Sequence, residues 1–290
     1  MTDRDSGAEV AEATDVAAYY DRNTVRFLLM GGGAPSMHRA LWAPGVESTR
    51  DAVGHVDRLV ADELAALRAA ECPVVVDYGC GVGGTLFHLA SRFTDARLIG
   101  ITVSPRQVDV ATRFARQRGL ADRCTFRLGD FQSIDLAVKA DAIVAIESFV
   151  HSSDPEAFFA SAARHLRTGG RLIVVDDFLA VGEDALTVEQ RRRVAELRAG
   201  WRVPAICTGG RFIEAAAAHG LVKDRAVDLT PLTRPGSRLR DRLTAAVSPL
   251  LSRLGLARMP FYGNMIGGSA LQVGLGEGFI RYQLMVLSRH

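Results

Sequence analysis

Cysteine is scarce in this chain of 290 residues. The four present, Cys72, Cys80, Cys124 and Cys207, show neither the paired spacing of a metal site nor a secretory leader ahead of them. A disulfide framework and a thiolate metal centre are therefore not expected, and the thiols read as small, reduced core residues. Net charge is nearly absent too, since 35 Lys and Arg against 33 Asp and Glu leave +2. A nucleic-acid binder usually concentrates far more basic charge on one face, so no polyanion partner is expected. No apolar run approaches the roughly 20 residues of a membrane helix. The expectation is a cytoplasmic protein without a membrane span.

What the chain does have is apolar content, 48% of its residues, enough for one α/β core with elaborations. Its most informative stretch is Val74-Val75-Val76-Asp77-Tyr78-Gly79-Cys80-Gly81-Val82-Gly83-Gly84. This reads as a buried strand ending in an acid, then a glycine-rich turn at the start of a helix, where bare backbone can approach a small polar ligand. From there strands and helices alternate as in a parallel sheet with crossover helices. Strands are expected over 74–77, 97–101, 124–128, 141–146, 171–175, 221–229 and 279–287. Helices are expected over 85–93, 105–118, 155–166, 187–198, 210–219 and 264–273, the third capped after its end by Gly169-Gly170. Ahead of the sheet, 1–15 reads as a disordered lead and 16–70 as a helical cover that includes a helix over 51–70. Residues 71–180 form the expected ligand-binding core and 181–290 its C-terminal half, with an insertion over about 231–278 that lines the acceptor pocket.

The acid stands before the first glycine, not some twenty residues later, and this order resembles the first motif of class I S-adenosylmethionine (SAM) methyltransferases. The resemblance implies a Rossmann-like, seven-stranded methyltransferase sheet with an N-terminal helical cover and an insertion before the last strand. It also implies that Asp77, Gly79, Cys80 and Gly81 surround the methionine part of SAM. The second strand ends without the usual acid, in Thr102-Val103-Ser104-Pro105-Arg106-Gln107. A Thr-x-Ser-x-x-Gln run here is similar to cyclopropane fatty acid synthases, tocopherol and sterol methyltransferases and prenyl diphosphate C-methyltransferases. In that likeness Gln107 bonds the ribose and Thr102 borders it; the plain alternative is a helix cap at Ser104. Gly129-Asp130-Phe131 follows the third strand, where this fold commonly holds adenine, with Asp130 on the amino group and Phe131 on the ring face. Tyr20 resembles the tyrosine that closes on the SAM carboxylate in the same subgroup. Ile146 completes the cofactor set.

Chemistry is expected just after the fourth strand, at Ile146-Glu147-Ser148-Phe149-Val150-His151. A methyl sulfonium needs no metal, so the enzyme supplies alignment and, where a proton must leave, a base. Prenyl diphosphate C-methyltransferases carry a similar Asn-Glu-Ser segment, which implies that Glu147 deprotonates the cation formed when an alkene is methylated. The alternatives are a carboxylate that only braces the loop, or His151 as the base of an O- or N-methyltransferase for a polar natural product. No second histidine or cysteine stands at metal spacing near His151, and Mg2+ enters only if the acceptor is a diphosphate. The aromatic acceptor contacts are expected at Phe149, Trp201 and Tyr262. Arg22, Arg26 and His38, with Arg39 and the Gly31 to Gly33 triplet, are candidates for a diphosphate grip or for a solvent-facing surface. The expected partner is a small isoprenoid, and the N-terminal arm could exchange between protomers of a homo-oligomer.

Overall fold

Strand β1 (Val74–Tyr78) is the centre from which the sheet grows, because a continuous β-branched run can be buried on both faces only inside a parallel sheet. The computed structural model describes residues 38–234 and 260–290. The 1–15 lead, most of the cover with Tyr20, Arg22 and Arg26, and much of the insertion lie outside the described residues. Around β1 stand β2 (Arg97–Thr102), β3 (Cys124–Leu128), β4 (Ala140–Ile146), β5 (Leu166–Leu179), β6 (Leu221–Asp228) and β7 (Ile280–Arg289). Their order is β3-β2-β1-β4-β5-β7-β6. Val76 lies opposite Ile99 on one side and Ile143 on the other, both parallel. Only β7 runs antiparallel, between β5 and β6. The seven strands and their flanking helices make the Rossmann-like methyltransferase fold expected from the sequence.

Strands alternate apolar residues between two layers. Val75, Val144, Ile173 and Val286 pack in one layer with Val60, Leu89, Leu197 and Leu271. Val76, Ile143 and Val174 pack in the other with Phe158, Phe159 and Phe212. The helices supplying these contacts are α1 (Thr49–Val53), α2 (His55–Glu63), α3 (Gly84–Arg92), α4 (Pro105–Gln117), α5 (Pro155–His165), α6 (Val188–Trp201), α7 (Gly209–Ala218) and α8 (Pro260–Glu277). Their starts follow from local chemistry. Ser104 Oγ accepts from Gln107 N at 3.1 Å ahead of Pro105, and Asp154 Oδ1 accepts from Glu156 N at 2.9 Å ahead of Pro155. Thr187 and Gln190 form a reciprocal capping box.

Three elements depart from the sequence reading. The helix expected over 51–70 is broken at Gly54 and finishes as a 3-10 turn, Ala65–Ala69. β5 is far longer than 171–175, since nine consecutive pairs with β7 carry it out to Leu179. Gly169 and Gly170 lie inside β5, where they adjoin the register shift between Ala140 and Ala142, and do not cap α5. Helix α8 spans 18 residues despite its glycines. Each glycine in a helix costs roughly 1 kcal/mol relative to alanine, and packing offsets it. A Cβ on Gly200 of α6 would lie 2.3 Å from the Gly263 carbonyl oxygen and 2.9 Å from Gly267 Cα. The two helices touch backbone to backbone there.

Candidate active site

The C-terminal ends of β1, β2, β3 and β4 open on one edge of the sheet, where ligands bind in folds of this kind. At the end of β1, Asp77 is 3% exposed and takes no hydrogen bond among the described residues. Burial raises its pKa to about 7, with His38 opposing the rise and Asp57 adding to it. The loop that follows turns back at once, for Gly79 N and Cys80 N both donate to the Ile101 carbonyl, at 3.0 and 2.9 Å. Gly79 has φ +83°, and a Cβ there would stand 2.5 Å from Ser148 Cβ. Gly81 has φ +53° and open space before it, so a ligand can come close to its backbone. Cys80 is buried against Gly100, and burial raises its thiol pKa well above the usual range, which keeps it protonated.

At the end of β2, Thr102 Oγ1 donates to Gln107 Oε1 at 2.6 Å, and both side chains are buried. This occupies the Gln107 oxygen and leaves its amide NH2 as the end able to donate to a ligand. Ser104 also caps α4, so the cap and the Thr102–Gln107 pair coexist. After β3, Asp130 accepts from Gln132 N at 2.9 Å and from Gln132 Nε2 at 3.0 Å. Phe131 is half-buried, stacked on Tyr78 at 5.6 Å and edge-on to Phe158. These acids, glycines and buried polar pairs fit the recognition of a small zwitterion carrying a nucleoside.

The acceptor side is built on Glu147, directly after β4. Ile143 and Ala145 face the second layer, and a continued strand would send Glu147 the same way. Its φ of +50° turns it to the first layer instead. There Glu147 Oε1 accepts from the Arg39 N–H at 2.7 Å and from the Tyr282 hydroxyl at 2.8 Å. A non-glycine residue held in this region stores strain, and such strain clusters at functional sites. The Arg39 guanidinium forks onto Asp177 at 2.6 and 2.8 Å and lies 4.4 Å over the Tyr282 ring. Burial, then the nearby Glu147, pushes the Tyr282 pKa far up, so its hydroxyl remains a donor. Beneath, Asp176 accepts from Val150 N at 3.1 Å, and burial, reinforced by Asp177, raises its pKa well above the carboxylate range.

The remaining expected site residues are held by different elements. Phe149 is 1% exposed, in a ring cluster with Phe158, Phe159, Phe178 and Phe212 at 4.9 to 6.4 Å, because its 3-10 turn (Phe149–His151) folds it into the second layer. His38 faces the cofactor side, 2.8 Å from Thr85 Oγ1 and 3.3 Å from Asp57 Oδ1. Burial lowers its pKa, but Asp57 outweighs that, with Glu147 and Asp77 assisting, and the value rises to about 9. Arg39 is spent on Asp177 and offers no open grip for a diphosphate. Trp201 is partly buried between α6 and α8, its Nε1 donating to the Asn264 carbonyl at 3.1 Å. Tyr262 is half-buried near the start of α8, and Ile146 is buried in the first layer. His151 Nδ1 donates to the Arg202 carbonyl at 2.9 Å, and burial lowers its pKa. Tyr282, Asp177, Asp57 and Thr85 were not singled out from sequence; a lone tyrosine in an alternating terminal strand reads as core.

Among the described residues no cluster of histidine, cysteine and acids is arranged to hold a metal, and no helix is long and apolar enough to cross a membrane. A family model described as a methyltransferase domain matches residues 75–170. The ajmaline N-methyltransferase of Rauvolfia serpentina is 26% identical over 264 residues, 86% of this chain and 89% of that protein. A sterol 24-C-methyltransferase of Aspergillus fumigatus is 30% identical over 192 residues, 66% of this chain and 49% of that one. In fold, the chain is similar to a geranyl diphosphate methyltransferase solved with geranyl diphosphate and sinefungin, with a TM-score of 0.74, 21% identity, and coverage of 97% of this chain and 100% of that one. The methyltransferase domain and the methyltransferase relatives together support a SAM-dependent methyltransferase.

Proposed function

We propose that this enzyme methylates an alkene carbon of an isoprenoid, and that Glu147 removes the proton that must then leave. The observation that carries the reading is the Glu147 carboxylate, turned into the site by a left-handed backbone and held, among the described residues, through Oε1. Bound SAM supplies an electrophilic methyl group. Asp77 would receive its ammonium group, the loop from Gly79 to Gly81 would lie along its methionine part, Gln107 would donate to the ribose, and Asp130 with Phe131 would border the base. On the acceptor, the alkene π pair would form the new C–C bond as the S–CH3 bond breaks and its electron pair stays with sulfur in the departing thioether, leaving a cation on the neighbouring carbon. Glu147 Oε2 takes a proton from the adjacent carbon, and the C–H pair restores a double bond. Tyr262 and the edge of Trp201 are the aromatic groups proposed to border the isoprenoid. Mg2+ enters only with a diphosphate acceptor. The fold likeness to a geranyl diphosphate methyltransferase and the relation to a sterol C-methyltransferase support this reading.

A second reading rests on His151. With Nδ1 donating to the Arg202 carbonyl and burial lowering its pKa, the ring favours its neutral form. That is the form needed to deprotonate an oxygen or nitrogen acceptor, and the alkaloid N-methyltransferase relative supports it. Incubation with methyl-labelled SAM and a panel of prenyl diphosphates, prenylated aromatics and polar phenols and amines separates the two. Label in carbon is expected; label confined to heteroatoms overturns the alkene reading. Glu147→Gln should leave SAM affinity within about twofold while lowering kcat by roughly 10²- to 10⁴-fold, the usual contribution of a positioned base. Unchanged turnover would remove Glu147 from the chemistry.

A further inference from the structure

We propose that Tyr282 and Arg39 are positioning residues that clamp one oxygen of Glu147 so that the other faces the acceptor. The inference rests on Glu147 being the base. Both donors meet on Oε1, at 2.7 and 2.8 Å, and Oε2 takes no hydrogen bond among the described residues. A carboxylate gripped at one oxygen keeps a defined torsion and presents a lone pair of its second oxygen in a fixed direction.

The clamp is itself held rigid. Tyr282 sits in β7 with its backbone N–H on Thr230 Oγ1 at 2.9 Å and its carbonyl accepting from Leu229 N at 2.8 Å. Arg39 cannot swing its N–H away, because its guanidinium is forked onto Asp177 and covers the Tyr282 ring. The segment before the sheet and the last strand after it thus converge on one carboxylate oxygen. The groups facing this carboxylate are Arg39 and His38 from the leading segment, Asp176 and Asp177 from β5, His151 from the 3-10 turn and Tyr282 from β7.

Removing the hydroxyl has two consequences that a packing role would not produce. The base loses its fixed torsion, and its charged form loses a donor that favours it. The test compares the full-length enzyme with Tyr282→Phe and Arg39→Lys, using labelled SAM and the acceptor found by the panel above. Tyr282→Phe should lower kcat by about tenfold to a hundredfold, the worth of one hydrogen bond to a charged group, with the acceptor KM within about twofold. Arg39→Lys keeps the backbone N–H but loses the fork, and should lower kcat by a smaller factor without raising KM. The Tyr282 hydroxyl removal leaves the ring in place, and an unchanged melting temperature separates loss of positioning from loss of fold. If Tyr282→Phe unfolds, the Arg39→Lys pair of kcat and KM decides. Wild-type kcat in the variants, or a loss entirely in KM, overturns the proposal. Full activity of Glu147→Gln would instead overturn the reading beneath it.

Discussion

Replacing Asp77 with asparagine should make the ligand-free protein more stable while weakening its hold on SAM. Asp77 is buried without a hydrogen bond among the described residues, and its pKa stands at about 7 against an ordinary 3.8. Because the folded state holds this proton more tightly than the unfolded chain, the stability contributed is fully present below pH 3.8 and lost as pH rises through about 7. At 1.36 kcal/mol per unit, roughly 2–3 kcal/mol of that loss falls between pH 5 and pH 8. Asparagine is close in shape and neutral throughout, so the variant escapes it. Urea unfolding at pH 5, 6, 7 and 8 without SAM should show its advantage over the parent widening by about 2–3 kcal/mol and then levelling. Calorimetry should show SAM affinity of the parent rising with pH up to about 7, and weak, nearly flat binding for the variant. An advantage that does not change with pH would refute the reasoning, since Asp77 would then be ionised and satisfied across the range.

Two further substitutions test packing. Gly200→Ala places a methyl group 2.3 Å from the Gly263 carbonyl oxygen, and forcing α6 and α8 apart should cost about 1–3 kcal/mol in chemical denaturation; a variant as stable as the parent would show that the helices do not cross in backbone contact. Phe149→Ala should lose about 3–5 kcal/mol through the cavity left among its four phenylalanine neighbours. A loss under about 1 kcal/mol would return Phe149 to the pocket.

The order of strands and helices and the nature of the cofactor loop were legible in the chain because they depend on short-range pattern. Runs such as Val74 to Val76, alternation every two residues, Pro after Ser104 and Asp154, and an acid ahead of Gly79 are all read within a few positions. β5 and α8 were misjudged where distant contacts overrule local preference. Gly169 looks like a helix cap until β4 pairs beside it, and the glycines flanking 264–273 look like helix ends until α6 is seen packed against Pro260–Glu277.

The site divides in the same way. Sequence alone determined which residues stand at the carboxyl ends of the strands, Asp77, Thr102, Asp130 and Glu147, since strand ends are set by hydrophobic pattern. It could not determine what each of them faces. Glu147 meets Arg39 across 108 positions and Tyr282 across 135, and no periodicity links residues so far apart. His38 and Arg39 look like a paired basic surface in the chain, yet extended backbone sends neighbours to different partners, one to Asp57 and Thr85, the other to Asp177. Only the folded chain decides this, because burial leaves a charge no water and forces it to find a partner wherever the topology supplies one.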